Sequence, residues 1–222
     1  KDIYKEKDYD HTSWHTRDIN SPLHTQKEYR DYTGNVWYRL VFNCILCDDY
    51  DGDLALLVPI HYSGAQFYLN GQLIKETRPF INGKFTPELG KPDVIPLPRN
   101  IITKGNNVIA IRTSTLDYNS GFEELLKIGT LPQITEKFVQ ENLFYGLLIG
   151  INLFLSLYFI ILYYYRRKEH YYLFFAGMAF SFALWTTGYI GIIFWLIDHR
   201  IAYLISAYCG SVSIVIFAIL FI

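Results

Sequence analysis

Charged side chains are scarce in the second half of this 222-residue chain. From Leu143 onward only six residues carry a formal charge: Arg166, Arg167, Lys168, Glu169, Asp198 and Arg200. None of them lies inside the long apolar runs of that half, whereas pumps and proton-coupled transporters usually need an ionisable residue within a membrane span. The sequence therefore argues against a transport function.

Positive charge is also in short supply before Leu143. Four of the chain's 20 basic residues and two of its 21 acidic residues follow that point, so the part before it carries a formal charge of about −3. Binding to nucleic acid needs clustered positive charge, and we expect no nucleic-acid partner. The sequence also contains no P-loop, no G-x-G-x-x-G and no Ser-His-Asp arrangement.

The amino terminus lacks the apolar core of a signal peptide, because it opens with Lys-Asp-Ile-Tyr-Lys-Glu-Lys. It also lacks an initiator methionine, and the last residues end inside an apolar segment. We expect a fragment, or a mature form, of a longer protein.

The second half contains three apolar runs, at 143–165, 171–197 and 201–222, and none of them includes a charged residue. Because a helix rises about 1.5 Å per residue, each run is long enough to cross a hydrocarbon layer of about 30 Å. We predict an α-helical transmembrane bundle in which three helices are present and the rest of the bundle is cut off.

The connections between these runs predict the orientation. The first connection, 166–170, has three basic residues, and the second, 198–200, has one. Because basic loops stay on the cytoplasmic side, we place residues 1–142 on the other side of the membrane, in a multi-pass protein. Tyrosines at 163–165 and 171–172 flank the basic connection, where amphipathic rings prefer the headgroup level.

Small residues recur every four positions in the first and third runs: Gly146 and Gly150, then Ala202, Ser206 and Gly210. Such spacings let helices pack closely. They indicate further helices of a bundle and leave a homodimer open, although small residues are also simply common in membrane helices.

The first half predicts short strands at close intervals, rich in Val, Ile, Leu and Tyr and separated by turn pairs such as Asp-Gly and Asn-Gly. The predicted strands are 36–42, 54–62, 65–69, 72–74, 94–102, 107–116 and 125–128. A helical period first occurs at 134–140. We predict an all-β sandwich over 1–131, a linker or coupling helix over 132–142, and the membrane region over 143–222.

The clearest local signal is GAQFYLNGQLI, residues 64–74. Asn-Gly is the preferred pair for a two-residue type I′ turn, because both central residues need a positive φ. With Asn70 and Gly71 as the turn, the predicted pairing runs from Leu69–Gln72 to Phe67–Ile74. We interpret Asn70 and Gly71 as a structural turn rather than as ligand contacts.

Three stretches then occur in a recognisable order: VWYRLVF, YSGAQFYLNGQLI and IPLPRNIITKGNNVIAIRT. They resemble the jelly-roll sugar-binding domain at the front of family 2 glycoside hydrolases. The matching residues are Trp37, Tyr38, Arg39, Asn70, Gly71, Gly105, Asn107 and Arg112. The resemblance implies a jelly roll that binds carbohydrate. In those hydrolases the catalytic carboxylates lie on a separate barrel, so we expect this chain not to be an enzyme, any enzymatic module lying beyond residue 222.

A jelly roll followed by residues 144–191 resembles the bacterial seven-transmembrane receptors with diverse intracellular signalling modules (7TMR-DISM). In that family an outer β-sandwich senses a ligand, and seven helices carry the signal to a cytoplasmic module. The resemblance implies the sensor and membrane input part of such a receptor, in a bacterial cytoplasmic membrane and with the N-terminal domain in the periplasm or outside the cell. Its partners would be a small-molecule or glycan ligand, the lipid bilayer, the remaining helices and the signalling module. The alternative is a membrane-anchored glycan-binding or scaffold protein without signalling.

A sugar site needs aromatic rings that stack on the ligand and polar groups that orient its hydroxyls. The candidates are Trp14, Tyr62, Tyr68, Tyr118 and Asn119. Trp37 alternates with Arg39 and is predicted in the core. Arg39 and Arg112 are expected to have structural carboxylate or carbonyl partners.

Metal binding has one candidate, in which Asp49, Asp51 and Asp53 alternate as at the start of a calcium loop. That loop needs Gly where Leu54 stands and Glu where Ile60 stands. We therefore expect a solvated turn and no cofactor, with a structural calcium ion as the alternative.

Cys44 and Cys47 form a lone C-x-x-C at a strand end rather than at a helix start. Thioredoxin-like redox chemistry needs the helical placement. A local disulfide outside the cytoplasm is the alternative that remains open.

Overall fold

A computed structural model gives the fold. It describes residues 2–16, 18–19, 27, 32, 34–45, 52–59, 61, 64–77, 79–81, 84–85, 92–115, 121–122, 124–187, 201 and 211–221. The chain divides into two compact units, Lys1–Glu136 and Lys137–Ile222, which we call unit 1 and unit 2. The finer limits of a sandwich over 1–131 and a coupling helix over 132–142 remain a prediction.

Unit 1 is a mostly β domain. Its strands are β1 Gly34–Cys44, β2 Leu54–Val58, β3 Ala65–Leu69, β4 Gln72–Glu76, β5 Phe80–Ile81, β6 Lys84–Phe85, β7 Asp93–Leu97, β8 Gly105–Thr115 and β9 Lys127–Thr130. One antiparallel sheet has the order β1-β8-β3-β4, a second has the order β7-β2-β9, and β5 pairs with β6. The predicted antiparallel sandwich is confirmed.

The core lies between the two larger sheets. Tyr38, Phe67 and Ile111 enter it from the first sheet, while Leu56 and Ile95 enter it from the second. Apolar residues at alternate positions supply these contacts, because successive side chains of a strand point to opposite faces.

The prediction that Trp37 lies in the core is wrong. The residue lies on the face of β1 opposite to the core, since its neighbours Val36 and Tyr38 are the residues that face inward. Alternation fixed which residues share a face but did not identify the inner one, because the outer face is covered as well.

Several strand predictions need smaller corrections: the strand predicted at 54–62 ends at Val58, and the one predicted at 125–128 begins at Lys127. The strand predicted at 94–102 ends at Leu97, because the chain turns at Pro98, whose carbonyl accepts a 3.0 Å hydrogen bond from the amide of Ile101. In the β3–β4 hairpin the register shifts between Phe67 and Tyr68, so that Phe67 lies opposite Lys75 and not opposite Ile74. Leu69 pairs with Gln72 as predicted.

Among the described residues, the α-helices are α1 Leu131–Tyr165, α2 Tyr171–Thr186 and α3 Ser211–Phe221, and a 3-10 helix spans Asp2–Lys5. Within the described part of the chain, α1 alone is long and apolar enough to cross a membrane, judged by length and composition. The predicted membrane helices 171–197 and 201–222 fall partly outside the described residues, so the bundle of three remains a prediction.

The first turn of α1 is fixed to unit 1. Thr130 and Gln133 exchange two 3.4 Å side-chain-to-backbone hydrogen bonds, the reciprocal arrangement of a capping box. The amide of Leu131 donates to the carbonyl of Asp53 at 2.8 Å, and Ile134 is buried. This capping begins the helix three residues before the start of the predicted 134–140 segment.

Candidate functional site

The outer face of the four-stranded sheet carries the N-terminal segment 2–16, which we call the N-terminal strap. Arg39 of β1 holds it: Nη1 donates to the carbonyls of Tyr4 and Glu6, and Nη2 donates to those of Lys7 and Tyr9 at 3.2 and 3.5 Å. Partial burial lowers the pKa of the Arg39 guanidinium, which stays charged because arginine does not deprotonate in proteins. The carbonyl partners confirm the structural role predicted for Arg39.

Aromatic rings join the strap to the sheet. The ring of Tyr4 makes edge-to-face contacts with Tyr9, Trp14 and Trp37, at centroid distances of 5.2, 5.5 and 5.9 Å. Edge-to-face pairs of this kind are stabilising beyond the area they bury. Trp14 is therefore held in place through Tyr4, although the strap forms regular secondary structure only in the 3-10 helix Asp2–Lys5.

A cleft of about 1000 Å³ runs along β1, the edge strand of the sheet, and the strap forms part of its wall. Its size is at the upper end of ordinary ligand pockets, which span about 300–1,000 Å³. The lining combines aromatic rings with hydroxyl, imidazole, amide and carboxylate groups. The residues that give it this chemistry are Tyr4, His11, Ser13, Trp14, His15, Thr16, Asp18, Tyr32, Asn35, Trp37 and Arg39.

Several of these groups are accessible to a ligand. Tyr32 is 47% exposed, Asp18 and His15 are exposed, and Trp14 is half-buried. The Tyr32 hydroxyl donates to the carbonyl of Asn35 at 3.1 Å, which fixes the ring beside β1. The cleft can thus offer ring faces for stacking and a mixed set of donors and acceptors for hydroxyl groups.

The structure separates the predicted ligand contacts. Trp14 lines the cleft, whereas Tyr68 is 8% exposed and lies beneath the strap, with Lys5 Nζ 5.4 Å from its ring centroid. The centroid of the Tyr68 ring lies 5.7 Å from that of Trp37, so Tyr68 packs against a residue that lines the cleft. Tyr62, Tyr118 and Asn119 lie outside the described residues.

Sequence reasoning missed Tyr4, Tyr32 and Asn35. The strap shows no strand or helix period, since Arg39 and ring contacts hold it from more than 30 positions along the chain. The one signal that could have found it is the density of aromatic residues at Tyr4, Tyr9 and Trp14.

Asn70 and Gly71 lie at the β3–β4 turn with φ values of 47° and 89°. The Asn70 side chain donates to the carbonyl of Ile101 and to Oδ1 of Asn107, both at 2.8 Å, and accepts from the amide of Val108 at 2.9 Å. Its amide group is thus engaged within unit 1, joining the hairpin to β8.

Of the three aspartates in the metal candidate, the structure describes Asp53. Asp49 and Asp51 lie outside the described residues, and the carbonyl of Asp53 accepts the hydrogen bond that starts α1. Across the residues that the structure describes, no group of three or more His, Cys, Asp or Glu side chains could hold a metal ion. The calcium alternative remains untested.

Cys44 is disulfide-bonded. It is the last residue of β1, and its partner lies outside the described part of the chain.

No family model matches the chain, and no curated protein matches it. Solved structures do. They include a glycosyl hydrolase family 2 member from Bacteroides cellulosilyticus DSM 14838 (13% identity, 57% of this chain and 18% of that chain, TM-score 0.47). A β-glucuronidase from Bifidobacterium dentium matches with 16% identity over 51% of this chain and 17% of its own, at TM-score 0.40. A β-glycosidase from Bacteroides vulgatus matches with 15% identity over 57% and 18%, at TM-score 0.42.

The chain spans less than a fifth of the length of each of these structures. At sequence identities this low, the likeness concerns the fold alone. The expectation that the chain is not an enzyme is nonetheless contradicted, because the similar structures are glycosidases and β-glucuronidases.

Proposed function

We propose that unit 1 binds a carbohydrate in the cleft along β1, and that the chain is the sensing and membrane-spanning part of a bacterial receptor. The observation that carries the first part is the cleft itself, which places Trp14, Trp37 and Tyr32 beside hydroxyl, amide and carboxylate groups. Sugar rings stack on aromatic faces and their hydroxyls need both donors and acceptors.

A glycan-binding measurement on the whole chain, held in detergent or nanodiscs, tests the sugar site. An array selects a glycan, and titration calorimetry then compares Trp14→Ala with Trp185→Ala. Trp185 lies in α2 and is the matched control. We expect Trp14→Ala to weaken binding at least tenfold and Trp185→Ala to leave it unchanged. Absence of binding to any glycan, or equal affinity of Trp14→Ala and wild type, would overturn the proposed site.

Two observations support the membrane and receptor part. The 18-residue apolar window of α1 is only 6% buried, which suits a helix surrounded by lipid. The disulfide at Cys44 suits an oxidising location outside the cytoplasm. On this proposal α1 carries a ligand-dependent change from the sandwich to the membrane, because its first turn is fixed to β9 and to Asp53.

Helix continuity is the testable element of that coupling. A Gly-Ser insert of about seven residues after Gln140 interrupts α1, while an alanine insert of the same length preserves the helix and nearly its phase, since two turns take about 7.2 residues. The readout is the ligand-dependent change in amide hydrogen exchange at 166–170. We expect the change to disappear with the Gly-Ser insert and persist with the alanine insert. An equal response in both would overturn coupling through α1, and the absence of any response in the wild type would favour a glycan-binding anchor without signalling.

A further inference from the structure

The turn between α1 and α2, residues 166–170, has a defined backbone. The amide of Arg166 donates to the carbonyl of Leu162 at 2.8 Å, and the amide of Glu169 donates to the carbonyl of Arg166 at 2.9 Å. The amide of Leu173 then donates to the carbonyl of His170 at 3.0 Å at the start of α2. Side chains on this turn therefore project from a fixed frame.

One of its three cations is already paired. Arg166 Nη1 lies 3.7 Å from Glu169 Oε2, and the Tyr171 hydroxyl donates to the same carboxylate oxygen. That hydrogen bond is the main cause that lowers the pKa of Glu169, so the carboxylate stays charged near neutral pH. The positive charge of Arg166 and the negative charge of Glu169 therefore cancel within the turn.

The other two cations are exposed. Arg167 lies with its guanidinium carbon 5.1 Å from the ring centroid of Tyr164, and Lys168 is exposed beside it. In the part of the chain that the structure describes, neither forms an ion pair. A guanidinium held over an aromatic face keeps its edge N–H groups for an oxyanion, which arginine binds with two parallel hydrogen bonds.

The rings around this turn indicate where the oxyanion resides. Tyr164 and Tyr165 are 66% and 80% exposed at the end of α1, and Tyr171 is 41% exposed at the start of α2. Exposed tyrosines between an apolar helix and a basic turn are typical of the headgroup level of a bilayer. Anionic headgroups there attract basic residues of the cytoplasmic side.

We propose that the turn 166–170 binds the phosphate of an anionic lipid headgroup, through the side chains of Arg167 and Lys168. This inference rests on the membrane location given under the proposed function. A soluble phosphate would make no contact with the neighbouring exposed rings and the apolar end of α1, whereas a lipid would contact both. We therefore choose the lipid as the occupant.

The test uses the whole chain in bilayers of phosphatidylcholine with and without phosphatidylglycerol. Alkaline carbonate extraction first establishes whether the chain is inserted; its release would overturn the membrane location itself. For the inserted chain, spin-labelled lipids then report the preference for phosphatidylglycerol over phosphatidylcholine. We expect a preference in the wild type that falls by about fivefold for each cation removed in Arg167→Gln and Lys168→Gln.

Two controls sharpen the result. Arg200→Gln removes a basic residue from the second predicted connection, 198–200, and should leave the preference unchanged. Glu169→Gln removes the turn's negative charge and should raise the preference. An inserted chain without lipid preference, or with the same preference in Arg167→Gln, would overturn the inference. So would loss of the preference when inorganic phosphate replaces chloride at equal ionic strength, since a soluble anion would then be the ligand. Helix content by circular dichroism confirms that each variant is folded.

Discussion

The two units of this chain bury opposite kinds of side chain. Unit 1 buries large apolar side chains completely, and Phe67, Leu56 and Ile109 are all 0% exposed. Among the described residues of unit 2, the buried ones in α2 are small, namely Ala176, Ala179, Ser181, Ala183 and Thr186, and those in α1 are Asn142 and Ser156. Leu147 and Phe154 are 64% and 69% exposed. Burial of large apolar groups stabilises a fold in water, whereas close contacts of small residues stabilise helices in lipid.

This contrast is more informative about the surroundings of each unit than its mean hydropathy is. An apolar surface of the extent seen on α1 would be an aggregation hazard in water, and it needs no cover where hydrocarbon is the solvent. Matched substitutions test this contrast, because a single solvent for the whole chain would produce a different pattern.

The largest effect is expected for Phe67→Ala, compared with Phe154→Ala. Phe67 is 0% exposed in the core of unit 1, and its truncation should lower the free energy of unfolding by about 3–5 kcal/mol. Phe154 is 69% exposed, so its truncation leaves no cavity and should cost far less. Urea unfolding of the whole chain in mild detergent, followed by tryptophan fluorescence, measures both. Equal losses would contradict the division into two kinds of packing.

A charge on α1 tests its surroundings. Leu153 and Val139 are 44% and 41% exposed on the same helix, and in water either could become arginine at little cost. Leu153 lies inside the uncharged run, where an arginine should oppose membrane insertion by about 2.5–3.5 kcal/mol, whereas Val139 lies before that run. Carbonate extraction of the two variants measures insertion. Equal retention of Leu153→Arg and Val139→Arg would contradict a lipid-facing α1.

The sequence predicted the elements of unit 1 better than their surroundings. The strand at 65–69 has the predicted limits, because turn residues bound it on both sides and alternation fills it. The face of Trp37 was predicted incorrectly, since alternation gives two equivalent faces and the strap that covers the outer one has no period of its own. The register slip at Phe67 is likewise invisible in the sequence, as a bulge needs no special residue there.

The cleft was less predictable than the sheets. Its wall depends on one guanidinium of β1 reaching the carbonyl oxygens of a segment about 30 residues earlier. Backbone carbonyls carry no sequence signature, so no pattern could link Arg39 to the strap. Trp14 was named from its residue type, whereas Tyr4 and Tyr32 required the fold.

Two glycines serve different purposes in the two units. Gly71 has a φ of 89°, so Gly71→Ala should lower the stability of unit 1 by about 1–2 kcal/mol through backbone strain. Gly177 has an ordinary helical backbone, but a Cβ there would clash with Cζ of Phe217 in α3. Gly177→Ala should therefore weaken the contact between α2 and α3 by about 1 kcal/mol.

Gly150→Ala is the control for this pair, because a Cβ at Gly150 meets no described atom within 4 Å and alanine favours the helix by about 1 kcal/mol. Thermal melting separates the cases if strand and helix signals are followed individually by circular dichroism. A loss of helix signal in Gly150→Ala equal to that in Gly177→Ala would remove the packing explanation.

The smallest effect is a pH dependence within the strap. The amide of Thr12 donates to Oδ1 of Asp10 at 2.9 Å, and this hydrogen bond is the main cause that lowers the pKa of Asp10 below its ordinary 3.8. The carboxylate therefore favours the folded strap fully above that ordinary value, and the contribution is lost as the pH falls through the lowered pKa. Titration of the Asp10 side chain by NMR should show the lowered value.

The strap amide resonances of Asp10→Asn should not move over the same pH range, because the asparagine oxygen still accepts the bond from Thr12 but does not titrate. A pKa at or above the ordinary value would mean that the turn is not formed in solution, and the wall that the strap gives the cleft would then be looser than its contacts with Arg39 imply.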